Sequence, residues 1–258
     1  MSFSVVMIGA GNLATHLAMA LTAAGNQVVQ VYSQTAASAS ALAEKTGAGW
    51  TTSPAAIVRD AQIYFLAVKD SAMLPVLRES GLSGQLLVHC AGSVPMTVLH
   101  GFSDQVGVLY PLQTFSKNRE VNFRTIPVFI EAATPDVETI LRGVASQLSE
   151  TVVNASSEQR QALHLAAVFA CNFVNHFYAV AEELCAANHL SFDYLKPLIR
   201  ETARKIETIS PFEAQTGPAV RFDRNVMDTH LAALGKFPGF QNLYETVSQS
   251  IFDLHQKK

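Results

Sequence analysis

The ten residues 5–14, Val-Val-Met-Ile-Gly-Ala-Gly-Asn-Leu-Ala, leave this chain few folds to choose from. An apolar run is followed by Gly9-x-Gly11-x-x-Ala14, and Leu13, Leu17, Ala20 and Leu21 then recur at helical spacing. Strand, glycine turn and helix is the order that holds a pyrophosphate. Gly9 permits a tight turn, Gly11 removes a side chain that would keep phosphates off the backbone, and Ala14 lets the helix pack closely on the strand. Free N–H groups at the helix N-terminus add partial positive charge. The glycine pattern alone also fits a plain strand-to-helix turn. Its place between a first strand and a first helix is what favours a dinucleotide.

Gly25-Asn26 punctuates the chain next, and residues 28–32 read as a second strand closing at Ser33-Gln34-Thr35. An acid roughly 20 positions after the glycines would bind the ribose 2′-hydroxyl of NAD. Here Ser33, Gln34, Thr35 and Ser38 are neutral and the first acid downstream is Glu44, so nothing repels a 2′-phosphate. No Arg is present to pair with that phosphate either. The segment favours NADP, keeps NAD open, and also fits a polar helix cap at Ser33 or Thr35.

Alternation continues with a helix over 36–46, a short strand near Trp50, a helix over 54–60 and a buried strand over 63–68. A helix over 74–79, strands over 86–90, 106–109 and 126–131, a helix over 137–148 and a strand over 151–153 complete a mostly parallel α/β sheet. Ligands of such sheets lie beyond the carboxyl ends of the strands, which brings Lys69, Asp70, His89, Ser93, Tyr110 and Gln113 near the cofactor by topology. Each has a structural alternative: Lys69 and Asp70 as a solvated turn, His89 as a satisfied core histidine, Ser93 as a cap before Pro95.

Asn154-Ala155-Ser156-Ser157 reads as a boundary between a sheet domain, 1–154, and an all-helical domain, 155–258. In a helix over 158–188, at about 100° per residue, Phe169, Phe173, Phe177, Val180 and Leu184 fall on one side. His164, Asn172, Asn175, His176, Glu182 and Glu183 fall on the other, with no Lys or Arg between Arg160 and Lys196. A strip so poor in cations is expected to face a shared cleft or a subunit interface; an uncharged exposed stripe is the plainer alternative. Further helices are expected over 196–209, 225–234 and 240–255. The loop over 215–223 presents Thr216, Gly217 and Arg221 to an anionic or carbonyl ligand, or else is a connector with Arg221 paired to Asp223 or Asp228.

Composition removes several function classes. Over 258 residues the chain is 49% hydrophobic and 15% charged, with a net charge of -3, which argues against a nucleic-acid partner. The charge-free stretch 161–181 contains His164, Asn172, Asn175 and His176, so a buried helix beside a polar cleft is expected rather than a membrane span. With strand one expected to start almost at Met1 and no basic region or cleavage site before it, no leader is expected, and three cysteines without a pairing motif suit reduced core thiols in a cytoplasm. No spacing suggests a metal site.

Taken together, residues 8–17, 67–70, 89–96, 110–115, 164–169, 172–176 and 214–219, with Arg221 and Asp223, resemble a bacterial family. That family joins a Rossmann-like domain to a C-terminal domain of unknown function 2520, often labelled NADP-type oxidoreductases. The N-terminal half is similar more broadly to pyrroline-carboxylate reductases, deazaflavin-dependent NADP reductases and hydroxyacid dehydrogenases, in which a helical domain dimerises and completes the active site. Two departures stand out. Ser33-Gln34-Thr35 replaces a Ser-Arg-Thr common after strand two, and the helix lacks the catalytic Lys of hydroxyacid dehydrogenases, His164 lying on the corresponding helix.

The resemblance implies an NADP-binding fold, a small-molecule substrate in an inter-domain cleft and a homodimer formed through the helical domain. The expected cofactor contacts are Gly9, Gly11, Asn12, Leu13, Ser33, Gln34, Thr35, Ala67, Val68 and Lys69. His164 is expected as general acid or base, Asn172 and Asn175 as substrate-orienting groups, and Ser93, Gln113 and Thr216 as substrate contacts. Two function classes follow: an oxidoreductase passing hydride to or from a small carbonyl, imine or hydroxy compound, or a dinucleotide-binding sensor without turnover.

Overall fold

In the computed structural model, which describes residues 2–256, the N-terminal apolar run forms β1 (Ser4–Ile8). It pairs in parallel on both sides, with β2 (Gln27–Tyr32) and β4 (Ile63–Leu66). Its side chains alternate between two cores: Val5 and Met7 join the one built with Leu17, Leu21 and Leu141, while Val6 and Ile8 join the one built with Met73, Val76 and Leu77. Burial on both faces is why residues 5–8 of β1 are all apolar instead of alternating.

Among the described residues the sheet has eight strands in the order β3-β2-β1-β4-β5-β6-β7-β8, with β3 (Gly49–Thr51) at one edge. β5 (Leu87–His89) and β6 (Val106–Pro111) continue the parallel part; β7 (Val128–Ala132) runs antiparallel to β6, and β8 (Val152–Asn154) parallel to β7. Strand order reverses between β1 and β4, the topological switch where open α/β sheets bind ligands. Helices α1 (Asn12–Ala23), α2 (Ala36–Thr46), α3 (Asp70–Ser80) and α4 (Pro135–Leu148) connect the strands.

The helix expected over 54–60 is instead a single 3₁₀ turn, Pro54–Ala56. The buried amide of Gln30 ends it by donating to the Ala56 carbonyl (3.1 Å) and accepting the Val58 N–H (2.9 Å). A side chain on β2 thus takes the backbone groups that a longer helix would have used.

Contacts divide the chain into two compact units, one ending at Cys171 and one starting at Asn172. The first includes α5 (Ser157–Ala167), opened by a capping box between Ser156 and Gln159. One turn in, Arg160 is only 1% exposed. Its guanidinium pairs with Glu131 and donates to the carbonyls of Ala91 (3.1 Å) and Val94 (2.5 Å). Beside it, Ser157 Oγ accepts the Met96 N–H (3.0 Å) and donates to Glu131 (2.9 Å), while the Gln161 amide donates to the Ser93 carbonyl (2.9 Å). α5 is thereby clamped to the loop after β5 and to β7.

The second unit, taken by itself, is all helical: α6 (Val174–Ala187), then Lys196–Lys205, Pro211–Ala214, Pro218–Arg221, Arg224–Ala233 and Pro238–Gln256. The loop expected over 215–223 therefore contains one helical turn. Asp223 caps the next helix by accepting the Val226 N–H, and among the described residues Arg221 has no ion pair with Asp223 or Asp228.

The long helix departs from expectation in two ways. Residues 168–173 form a π-helical segment, so a wheel drawn at constant pitch no longer holds beyond it. It is also not buried: Phe169, Phe173 and Phe177 are 62%, 45% and 38% exposed. Of the cysteines, Cys90 alone is buried; Cys171 is exposed and Cys185 partly so. By length and composition Ser157–Ala187 passes for a membrane span, but the polar side chains of His164, Asn172, Asn175 and His176 oppose that reading.

Replacing Arg160 by Met should leave Glu131 without its cation and free the loop at Ala91–Val94. The expected loss is about 3 kcal/mol of unfolding free energy, read from urea denaturation, because breaking one side of a buried pair strands the other charge.

Candidate functional site

The glycine turn after β1 sits against the end of β4. Gly9 has φ +122°, and a Cβ on it would fall 2.3 Å from the Ala67 carbonyl oxygen, so both backbone conformation and space demand glycine. Hydrogen bonds fix the turn: Gly9 N–H donates to the Tyr32 carbonyl (2.8 Å) and Ala67 N–H to the Ile8 carbonyl (2.8 Å). Gly11 differs. A Cβ there would meet nothing within 4 Å, because it faces open space at the N-terminus of α1, where no side chain caps the first N–H groups. That is a surface an anionic group can approach to backbone distance.

Two compartments open at this point, sharing Gly11, Ala67, Val68 and Lys69 as walls. The smaller, about 200 Å³, also has Gly9, Tyr32, Ser33 and Gln34. Thr35 is the N-cap of α2, and its side chain makes no cap bond. The larger, about 400 Å³, adds Asn12, Leu13, Asp70, Gly92, Tyr110, Gln113, Phe115 and His164. Among the described residues Lys69 is the only Lys or Arg in either wall, and it has no ion pair.

In the larger compartment the Tyr110 hydroxyl lies 3.2 Å from His164 Nδ1, with the rings edge to face. Gly92 packs against both: a Cβ on it would stand 2.7 Å from His164 Nδ1 and 2.9 Å from Tyr110 Cζ. Ser93 Oγ donates to Asp70 Oδ2 (2.5 Å) and is not a helix cap; Pro95 holds that position before the 3₁₀ turn Met96–Leu99. The Gln113 side chain accepts the Thr114 N–H (2.8 Å). Asn12 Nδ2 donates to the Phe115 carbonyl (2.9 Å), and His16 Nε2 stands 2.9 Å from the Ser116 carbonyl, so this segment is tied to α1.

The structure therefore brings together Gly11, Asn12, Leu13, Ala67, Val68, Lys69, Gln113 and His164, with Ser93 bonded to a wall residue. Asn172, Asn175 and Thr216 belong to the second unit and line neither compartment. Thr216 borders a separate apolar cavity of about 340 Å³ there, with Phe177, Leu184, Phe240 and Tyr244. Sequence reasoning missed the anchoring by Arg160 and the demand for glycine at position 92. Neither leaves a local signal, since each depends on partners distant in the chain, Glu131, Ala91 and Val94 for Arg160 and Tyr110 and His164 for Gly92.

Burial governs the titratable groups. It raises the Tyr110 phenol above its ordinary value, against the opposing pull of the Arg160 charge, so the hydroxyl stays protonated at neutral pH. The Cys90 thiol is pushed up to about 12, which leaves it unreactive. His89 is fully buried; its Nδ1 accepts the Ala91 N–H (3.2 Å) and its Nε2 has no partner within hydrogen-bond geometry among the described residues. Burial first and the Arg160 charge second push it down to about 3, the Pro95 carbonyl opposing. His89 is thus a neutral core histidine and lines neither compartment. Among the described residues no cluster of metal ligands occurs.

A turn-cradled helix N-terminus at the switch point of a mostly parallel sheet defines a Rossmann-type dinucleotide-binding protein. Residues 4–92 match the family model "NADP oxidoreductase coenzyme F420-dependent", and residues 126–251 match "Domain of unknown function (DUF2520)". Over 98% of both chains, the sequence is 50% identical to a "putative NADP oxidoreductase" from Bacteroides fragilis, with a TM-score of 0.94. The chain belongs to the family of that protein, a family of NADP oxidoreductases.

A Thermotoga maritima protein is 20% identical with a TM-score of 0.81, covering 98% of this chain and 99% of that one. An imine reductase from Myxococcus stipitatus, solved with NADP+, is 16% identical with a TM-score of 0.68 over 98% and 93% of the two chains. These two share the fold. No curated protein matches.

The depressed His89 fixes the sign of one pH effect. The unfolded chain takes up this proton near pH 6.5 and the folded chain near 3, so stability is complete above about 6.5 and falls as pH drops through that window. Relative to His89→Asn, wild type should lose about 2 kcal/mol between pH 7 and pH 5, seen as a larger drop in urea midpoint.

Proposed function

We propose that the chain binds NADP(H) along the crevice and passes hydride between it and a small carbonyl, imine or hydroxy compound held in the larger compartment. The observation that carries this reading is the Gly9–Gly11 cradle: one glycine locked against Ala67, the other leaving the α1 N-terminus open. The neutral wall of Ser33 and Gln34, the uncapped start of α2 at Thr35 and the unpaired Lys69 favour a 2′-phosphate in the smaller compartment. No carboxylate stands there to prefer a bare ribose hydroxyl. The bound cofactor supplies the hydride, and the protein's work is to orient the substrate and move a proton.

His164 is the proton-transferring group in this proposal, and Ser93 and Gln113 orient the substrate from the same unit. The substrate contacts proposed for Asn172, Asn175 and Thr216 are part of the same reading. A homodimer is proposed as well, supported by the apolar side chains that the helical region leaves uncovered, Leu165, Phe169, Tyr194, Leu198 and Ile206 among them. Sedimentation at micromolar concentration should then show a species of twice the 27.9 kDa chain mass.

Cofactor binding is tested by fluorescence titration, with NADPH expected to bind more tightly than NADH and Gly9→Ala to lose both. Turnover is tested by loss of nicotinamide absorbance across a panel of carbonyls and imines. With an accepted substrate, His164→Ala should lower the rate about 100-fold and leave NADPH affinity unchanged. Binding with no turnover across the panel would instead favour the sensor.

A further inference from the structure

We infer that Tyr110 is the positioning residue for His164: its hydroxyl holds imidazole Nδ1 and leaves Nε2 as the atom that exchanges a proton with the substrate. This rests on the proton-transfer role proposed for His164. The geometry argues it from three directions.

His164 follows Arg160 by four residues on α5 and so shares its side of the helix. The buried guanidinium of Arg160 sets the phase of that helix against the loop after β5, which turns His164 toward the end of β6, where Tyr110 stands. Nδ1 is engaged there, and Nε2 makes no hydrogen bond to another described residue.

Gly92 supplies the second direction. Its φ lies outside the left-handed region, so conformation does not require glycine, yet a Cβ would strike both the imidazole and the phenol. The missing side chain makes room for the pair to meet.

The third is chemical. A histidine that exchanges its proton through Nε2 alternates between one and two ring protons and keeps Nδ1–H in both states, so Nδ1 needs an acceptor throughout. The Tyr110 oxygen, 3.2 Å from Nδ1, is placed to be that acceptor. As the substrate C=O or C=N gains hydride at carbon, its oxygen or nitrogen takes the Nε2 proton of the imidazolium. The neutral ring keeps its other proton on Nδ1, where the Tyr110 oxygen accepts it. The ring stays oriented throughout. The phenol, raised by burial above its ordinary value, meets Nδ1 as a neutral hydroxyl.

The test combines Tyr110→Phe with a readout that needs no substrate. In ¹⁵N-histidine NMR spectra, with His164 assigned through His164→Ala, Tyr110→Phe should shift the His164 Nδ1 resonance. With an accepted substrate, Tyr110→Phe should lower kcat about tenfold, with KM and NADPH affinity unchanged. It should cost nothing further in the His164→Ala background, because Tyr110 acts through His164. Gly92→Ala, which wedges the pair apart without altering either member, should lower kcat similarly. An unmoved Nδ1 resonance, or an equal loss from Tyr110→Phe with and without His164, overturns the inference. Full turnover by His164→Ala overturns instead the reading on which it rests, and the inference with it.

Discussion

The structure of the first unit depends on a charge that water does not reach. Arg160 is an arginine almost without exposure, and an isolated guanidinium in that position would cost several kcal/mol. It is tolerated because Glu131 neutralises it and the carbonyls of Ala91 and Val94 and the Ser157 hydroxyl accept from it. Glu131, Ala91 and Val94 come from β7 and from the loop after β5, so one side chain ties two places on the sheet to the first turn of α5. An apolar side chain would fill the same space without fixing the rotation of the helix. A planar fork with five donors fixes it, because the bonds are satisfied at one phase only.

The consequence reaches the site through distance along a helix. His164 lies one turn beyond Arg160, so the phase that satisfies the guanidinium also aims the imidazole at Tyr110. The same charge acts on its neighbours through space. It joins burial in keeping His89 neutral and pulls the Tyr110 phenol down against the burial that raises it. His89 and Tyr110, near the carboxyl ends of β5 and β6, thus take their states partly from a residue that lines neither compartment.

What was legible in the sequence follows from how local each cause is. The helix at 36–46 stops where expected because its signal, Gly47 in a left-handed cap, lies in the chain itself. The Gly9–Gly11 turn was legible for the same reason: strand, glycine and helix impose their needs within ten residues. The helix expected at 54–60 failed because Gln30, on another strand, captures its backbone groups. Arg160 was opaque because arginine is ordinarily exposed and its partners lie 29, 66 and 69 positions away. His164 and Tyr110 could each be singled out by type and place, but not as a pair 54 positions apart. The π-helical segment has no pattern in one sequence, and it undid the facing assigned to the residues after it.

The two compartments are mechanically joined at Asn12. This residue opens α1, the helix whose free N–H groups face the phosphate side, yet its amide is bonded to the Phe115 carbonyl in the wall of the larger space. His16, one turn further along, stacks on the Phe115 ring and lies within hydrogen-bond distance of the Ser116 carbonyl. The segment after β6 therefore rests on the first two turns of the phosphate-facing helix. Gly9 fixes where that helix begins, through a contact with Ala67 that no other residue type permits. Arg160 fixes the opposite wall through α5. The larger compartment is bounded by one wall referred to the glycine turn and another referred to a buried charge, and its width is set by the sheet between them.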